Sequence, residues 1–338
     1  MKTGSTTFRN MLPKPFLKWA GGKTQLAEEI IRRRPGRFGV YYEPFVGSGA
    51  VFFALVRKGL IRHATLADSN WELIETYRAI RDYPDEVMKL LASYPYTADF
   101  YYLLREQDPR CLSPAERAAR MIYLNKTGYN GLYRVNREGK FNVPFGRYRS
   151  PKYYDPDNLR AVAAALQNVE LYCEDFSTIV TRAARNDWVY FDPPYVPVSA
   201  TANFTAYQAG GFGYHEQERL RDICMLLHEK HIFITLSNSD TPLVHQLYAN
   251  PIFRLVRLYA RRSISCNPSR RGPITEVLVL NYTPANQECQ PPLISPIAQT
   301  ITSAETPAKS AHPPVEIAPA VSARCTACSD PEQGRGSL

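Results

Sequence analysis

The stretch DWVYFDPPYVP, residues 187–197, decides how this chain is read. Its four apolar or aromatic residues, Trp188 to Phe191, run on without alternation. That is the pattern of a parallel strand covered on both faces. Two prolines then stop the strand, because neither can donate to a sheet ladder. An acid (Asp192), a rigid Pro193–Pro194 pair and an aromatic ring (Tyr195) are left at its carboxyl end. In open α/β sheets ligands bind there. The stretch therefore presents four groups to something planar and polar.

Working outward, further strands are expected in FGVYYEPF (38–45), ATLADSN (64–70), NVELYCEDF (168–176) and IFITLSN (232–238). FRLVRLYARRSIS (253–265) and ITEVLVLNY (274–282) read as an antiparallel ending. Helical patterns lie in AVFFALVRKGL (50–60), ending at Gly59, and in residues 71–94, interrupted near Pro84. A long one, YHEQERLRDICMLLHEK (214–230), stands between the last two parallel strands. The pattern predicts an α/β fold with a doubly wound, mostly parallel sheet. Residues 1–76 and 169–282 form the sheet domain. Residues 77–168, dense in Tyr, Arg and Asn and poor in strand pattern, form an inserted helical domain. Residues 283–338, rich in Pro, Ala, Ser and Thr, are expected to be disordered.

The formal net charge is +9. The tail holds three basic residues (Lys309, Arg324, Arg335) against five acidic ones (Glu288, Glu305, Glu316, Asp330, Glu332), so the body carries all of the excess. A basic body favours a polyanionic partner such as nucleic acid, although charge alone decides little. The seven cysteines show no framework spacing, and no apolar run is long enough to span a membrane. A reduced, cytoplasmic setting without a membrane is expected. Cys325 and Cys328 lack further ligands, and His215, His228 and His231 have no Cys or carboxylate at ligand spacing, so no metal is expected.

Two motifs precede the Asp-Pro-Pro-Tyr stretch. FLKWAGGKTQL (16–26) has paired glycines and lysines but lacks the P-loop spacing, which argues against a nucleoside triphosphatase. In EPFVGSGAVFFAL (43–55), Gly47 and Gly49 lie between a strand and a helix, where glycines allow close backbone approach to a ligand. Phe52 holds the place of the third glycine of the dinucleotide fingerprint. A pyrophosphate cradle, and with it a nicotinamide dehydrogenase, is thereby disfavoured. Asp68 follows about 20 residues on, at a strand end, where an acid can bind ribose hydroxyls. A nucleoside-bearing cofactor would lie over the glycine loop and Asp68, with the substrate at Asp192.

The residue types suit methylation of an exocyclic amine. Such a nitrogen is a poor nucleophile because its lone pair is delocalised into the ring. Acceptors at both N–H groups bias it toward tetrahedral geometry. Asp192 and the Pro193 carbonyl can supply them, the latter aimed by the proline pair. The acid also suits the positive charge that develops on nitrogen as it attacks a sulfonium methyl, and the Tyr195 ring can stack on a base.

With these segments in order, the chain closely resembles the Dam-type DNA adenine-N6 methyltransferases of bacteria and phages. The likeness runs from Phe16 to Tyr282 and rests on FLKWAGGK, EPFVGSG, LADSN, YLNKTGYNGLYRVNREGKFNVPFGRY (123–148), FDPPY, SATANFTAY (199–207) and RRSIS (261–265). It implies a Rossmann-like class I methyltransferase sheet, S-adenosyl-L-methionine as donor, double-stranded DNA as substrate, GATC as site, and a monomer at the bacterial nucleoid. Carried over by position, Trp19, Lys23, Phe45, Gly47, Gly49, Asp68, Asp175, Phe176 and Asp192 are the cofactor shell, with Asp175 and Phe176 meeting the cofactor's adenine. Asp192, Pro193, Pro194 and Tyr195 are catalytic. Tyr129 is a wedge in the base stack. Asn130, Leu132, Arg134 and Pro144 read base edges, Lys18 reaches the first guanine, and Arg147 and Tyr148 touch the DNA backbone. Departures from the pattern are Lys126–Thr127, Tyr133 and the long tail. Methylation of cytosine N4, an RNA base or a protein glutamine remains an alternative, as does a DNA-binding relative without catalysis.

Overall fold

The computed structural model describes residues 12–196, 212–260 and 274–285. The SATANFTAY and RRSIS matches, Arg261–Arg262 and the tail from residue 286 lie outside the described residues.

In chain order the elements are α1 (Ala27–Arg32), β1 (Tyr41–Glu43), α2 (Ala50–Arg57), β2 (Ala64–Asp68), α3 (Trp71–Asp82), α4 (Pro84–Ser93), α5 (Ala98–Glu106), α6 (Pro114–Thr127), α7 (Pro156–Ala165), β3 (Val169–Cys173), α8 (Ile179–Arg182), β4 (Trp188–Phe191), α9 (Tyr214–Glu229), β5 (Phe233–Ser239), α10 (Pro242–Leu247), β6 (Arg254–Ala260) and β7 (Ile274–Leu280). The strands form one seven-stranded sheet in the order β3-β2-β1-β4-β5-β7-β6. β1 to β5 are parallel, and β7 enters antiparallel beside β5, with β6 outermost. The chain winds outward from β1 to β3, then returns to lay β4 on β1's other side. The reversal leaves a crevice at the carboxyl ends of β1 and β4.

The unbroken apolar run of β4 is explained by two cores, one on each sheet face. Trp188 and Tyr190 join the core that contains Phe16, Tyr41 and Leu278. Val189 and Phe191 join the other, with Leu220 and Val277. Alternate side chains of a strand point to opposite faces, so a doubly covered strand must be apolar throughout. The polar atoms this buries are paired: Trp188 Nε1 donates to Thr235 Oγ1 (3.0 Å), and Tyr190 and Ser237 share a bond of 2.8 Å.

The segment between β2 and β3 is helical, and its boundaries follow local signals. Asn70, Thr97, Ser113 and Asp155 cap α3, α5, α6 and α7 with their side chains. Pro84 opens α4, where the missing N–H costs nothing. Much of its Tyr and Arg content is structural. Tyr101, Tyr123 and Tyr153 pack together, and each donates its hydroxyl to a backbone carbonyl, of Val143, Pro95 and Tyr94. Arg120, 2 % exposed, pairs with Glu72 at 2.7 Å and donates to the carbonyls of Leu104 and Arg105. One guanidinium thus ties α6 to α3 and α5. Beyond α6, residues 128–146 fold back on themselves through the bridges Gly128–Phe145 and Val135–Phe141.

Arg120→Met is expected to destabilise the protein by about 3–5 kcal/mol, because Glu72 would be left buried without its cation. Urea unfolding measures this. A change below about 1 kcal/mol, the range of exposed pairs, would show that water reaches Glu72.

Candidate active site

The glycine loop follows β1 and the Asp-Pro-Pro-Tyr segment follows β4, so the sheet order alone sets them side by side. Between them lies a cavity of about 800 Å³. Trp19, Lys23, Phe45, Gly47, Asp68, Asp175, Phe176 and all four residues Asp192 to Tyr195 line it. Gly49 does not reach the lining. It starts α2 in the left-handed region (φ 66°), where a Cβ would stand 2.8 Å from the Tyr77 hydroxyl, so close packing requires it. At Gly47 (φ 46°) a Cβ would come within 2.7 Å of Trp19 Cδ1. The bare backbone there lets the indole close one wall.

Asp192 holds the floor. Its Oδ1 is fully buried, with Lys23 Nζ at 2.8 Å as ion-pair partner. That ammonium also donates to the Gly21 carbonyl and sits 4.4 Å from the centre of the Tyr195 ring. Loss of hydration raises the Asp192 pKa to about 6, against the pull of Lys23. No hydrogen bond among the described residues reaches the Pro193 carbonyl, whereas the Pro194 carbonyl accepts from Gln217 Nε2 at 2.9 Å. Among the described residues, then, only the Pro194 carbonyl of the two is engaged.

Asp68 accepts from the backbone N–H groups of Gly47 (3.1 Å) and Asn70 (3.0 Å), which pins the glycine loop to β2. Phe45 and Phe176 stack at 5.3 Å and 26°. Asp175 accepts from Ser177 and pairs with Arg219, whose guanidinium lies over Phe176 at 4.6 Å.

Glu43, not among the expected site residues, also lines the cavity. It is 3 % exposed, accepts from Tyr41 and from the Phe52 amide, and burial raises its pKa to about 8. Its signal was present in the sequence: an acid at a strand's carboxyl end, directly before Pro44. Glu174 and Glu216 add further acids, so the lining is acidic with Lys23 as its cation.

The expected DNA-facing residues gather on the 128–148 segment and beside it. Tyr129, Asn130, Leu132, Arg134, Pro144 and Arg147 are exposed, while Tyr148 is half-buried. Tyr129 N–H donates to the Pro144 carbonyl (2.8 Å), and Tyr148 donates to that of Gly128 (3.2 Å). Lys18 is tied at its backbone to Asn125, crosses Gly131, and places Nζ 5.2 Å from the centre of the Tyr148 ring. Arg134 does not project freely. Its Nε donates to Asn142 Oδ1 (2.7 Å) and one Nη to the Asn142 carbonyl (3.3 Å), which fixes its plane and leaves the outer Nη edge open.

Tyr133 links the two regions. Its ring stacks on Trp19 at 5.1 Å and 25°, and its hydroxyl donates to Glu72 (3.2 Å), which Arg120 holds. The cavity wall and the exposed segment thus share one aromatic contact. Among the described residues no group of three or more His, Cys, Asp or Glu is placed to hold a metal ion, and no helix is long and apolar enough to cross a membrane.

Known proteins are similar to this chain over about four fifths of its length. Residues 19–264 match the family model described as D12 class N6 adenine-specific DNA methyltransferase. The Type II methyltransferase M1.LlaDCHI of Lactococcus lactis subsp. cremoris is 40% identical over 277 residues, 80% of this chain and 95% of that protein. The DNA adenine methylase of Escherichia coli K12 is 41% identical over 271 residues, 79% of this chain and 95% of that one. The Type II methyltransferase M.MjaIII of Methanocaldococcus jannaschii is 37% identical over 288 residues, covering 80% and 99%. The match spans the glycine loop, Asp68, the 128–148 segment and Asp-Pro-Pro-Tyr, and on it the chain belongs to the D12 class of N6 adenine-specific DNA methyltransferases.

Proposed function

We propose that this chain methylates N6 of an adenine extruded from double-stranded DNA, at GATC, with S-adenosyl-L-methionine as donor. One observation carries the reading: a buried Asp192 oxygen and a Pro193 carbonyl that no described residue engages stand at the end of β4, on the lining of a cavity large enough for a nucleoside.

The lining fits the donor. An acidic wall suits a molecule that bears a sulfonium and an ammonium, and a cation beside Glu43 would return it to its charged form. Asp68 would take the ribose hydroxyls, Asp175 and Phe176 the adenine, and Trp19, Lys23, Phe45 and Gly47 the remaining surface. S-Adenosyl-L-methionine supplies an electrophilic methyl. The chain's own groups do the rest. N6 lies inside the base pair, so the base must leave the helix to reach the cavity. Asp192 and the Pro193 carbonyl accept its two N–H bonds and direct the lone pair outward. Asp192 also offsets the charge that grows on nitrogen. Tyr195 stacks on the extruded ring, one of its own faces already covered by Lys23.

On the DNA side, exposed Tyr129 would fill the gap left in the stack. Asn130, Leu132 and Pro144 would touch base edges, Lys18 the first guanine, and Arg147 and Tyr148 the backbone. The open Nη edge of Arg134 presents two parallel donors, which match guanine O6 and N7. DNA from cells expressing the protein should resist a methylation-sensitive GATC nuclease and yield to a methylation-dependent one. The reverse pattern would refute the site.

Asp192→Asn should lower kcat by a factor on the order of 10²–10³ with little change in DNA affinity. Near-normal turnover would remove Asp192 from the chemistry. The reacting form is the carboxylate, which is lost as pH falls through its pKa of about 6. kcat/KM is therefore expected to drop below about pH 6. Lys23→Met should move that limb to higher pH, because the nearest stabilising cation is gone. A limb that stays in place would assign it to another group.

Arg134→Ala should cost about 1–3 kcal/mol of discrimination at one outer base pair of GATC, and Arg134→Lys should not restore it. Rates on oligonucleotides changed singly at each position measure this. An equal slowing on every sequence would make Arg134 a phosphate contact.

A further inference from the structure

The loop that follows β4 is gripped from behind by residues far away in sequence. Pro194 gives its carbonyl to Gln217 Nε2 on α9 (2.9 Å). Gln217 Oε1 accepts from Asn238 Nδ2 on β5 (3.0 Å), and Asn238 Oδ1 accepts from the Val196 amide (3.1 Å). Both amide side chains are buried, Gln217 at 1 % and Asn238 at 0 % exposure. Tyr195, between these two anchored positions, donates its hydroxyl to Glu276 Oε2 on β7 at 2.6 Å. Burial keeps that phenol protonated, so it stays a donor.

We propose that Glu276 is a positioning residue for methyl transfer: it fixes the Tyr195 ring from its far end and, with the buried Gln217 and Asn238, completes a clamp on the Asp-Pro-Pro-Tyr loop. A tyrosine has two side-chain torsions, and the backbone anchors at Pro194 and Val196 restrain only the near end of the ring. The bond to Glu276 restrains the other. The ring is then held at both ends, with Lys23 on one face. A charged acceptor makes this bond shorter and stronger than a neutral one would. The hydroxyl is therefore not spare. Its work is orientation, and stacking alone would not require it.

The proposal rests on the reading that Tyr195 stacks on the target base, and the test separates the two. In the full-length protein, single-turnover methyl transfer would be measured for Tyr195→Phe, Tyr195→Ala, Glu276→Leu, Glu276→Gln and the Tyr195→Phe/Glu276→Leu pair. DNA affinity and the fluorescence of 2-aminopurine at the target position, a probe of base extrusion and stacking, would be measured with it. Tyr195→Phe and Glu276→Leu should each slow transfer roughly tenfold, the weight of a bond to a charged group, with DNA affinity kept. The pair should be no slower than either single variant, since both remove the same bond. Glu276→Gln keeps an acceptor and should recover most of the loss. Full rate in Tyr195→Phe would overturn the proposal, even if Glu276→Leu fails to fold, and so would multiplicative loss in the pair. Unchanged rate and probe fluorescence in Tyr195→Ala would instead overturn the stacking role itself.

Discussion

A carboxylate taken out of water, with one lysine beside it, is the constraint from which the rest of the site follows. Asp192 Oδ1 is buried and has Lys23 for a partner. Stripping hydration from an ion costs several kcal/mol even after relaxation. The fold tolerates that because the strand bearing Asp192 lies between β1 and β5, packed on both faces, so the loop beyond it has little room to relax toward solvent. A second acid, Glu43, sits at the end of the neighbouring strand, also desolvated. Desolvated acids that line one cavity raise each other's cost, and a cation placed among them would relieve it.

The helical insertion answers a different problem, which is how to carry a polar, exposed segment on a stable support. Its tyrosines and buried arginines spend their polar groups on backbone carbonyls left open at helix ends and turns. The exposed segment after α6 can then be polar without weakening what lies beneath. Tyr133 is where support and exposed segment meet the cavity wall. Its stack on Trp19 puts the residue between Leu132 and Arg134 in contact with the wall of the catalytic crevice.

Much of this was legible in the sequence, for definite reasons. The seven described strands fall on the segments expected, β5 running one residue past its segment, because a doubly covered strand must be continuously apolar. That Asp192, Asp68 and Gly47 come together at one cavity was legible because each stands at or near the carboxyl end of such a strand. Gly49 was assigned to the cofactor, yet its lack of a side chain serves Tyr77 and Phe53. The functional weight of Gln217, Glu276 and Tyr133 could not be read. Gln217 is one polar residue in a polar helix. Glu276 sits in a strand whose neighbours set no expectation for it. Tyr133 acts through a ring more than a hundred residues away in the chain. Each gains meaning from a contact across the fold, and local pattern is silent on those. Arg134 carries a restraint that its loop does not announce: Asn142 across the turn holds it.

The placement of β7 bears on how the protein is made. It is the last described strand in the chain, but it lies inside the sheet, between β5 and β6. While the chain emerges from a ribosome, β1 to β5 can assemble, yet β5 keeps an open edge and β6 has no partner until β7 arrives. An open edge strand is a template for pairing with other chains. The nascent protein thus passes through an interval in which its catalytic loop exists while the sheet behind it is unfinished. Exposure of an unpaired strand edge is concentrated in that interval.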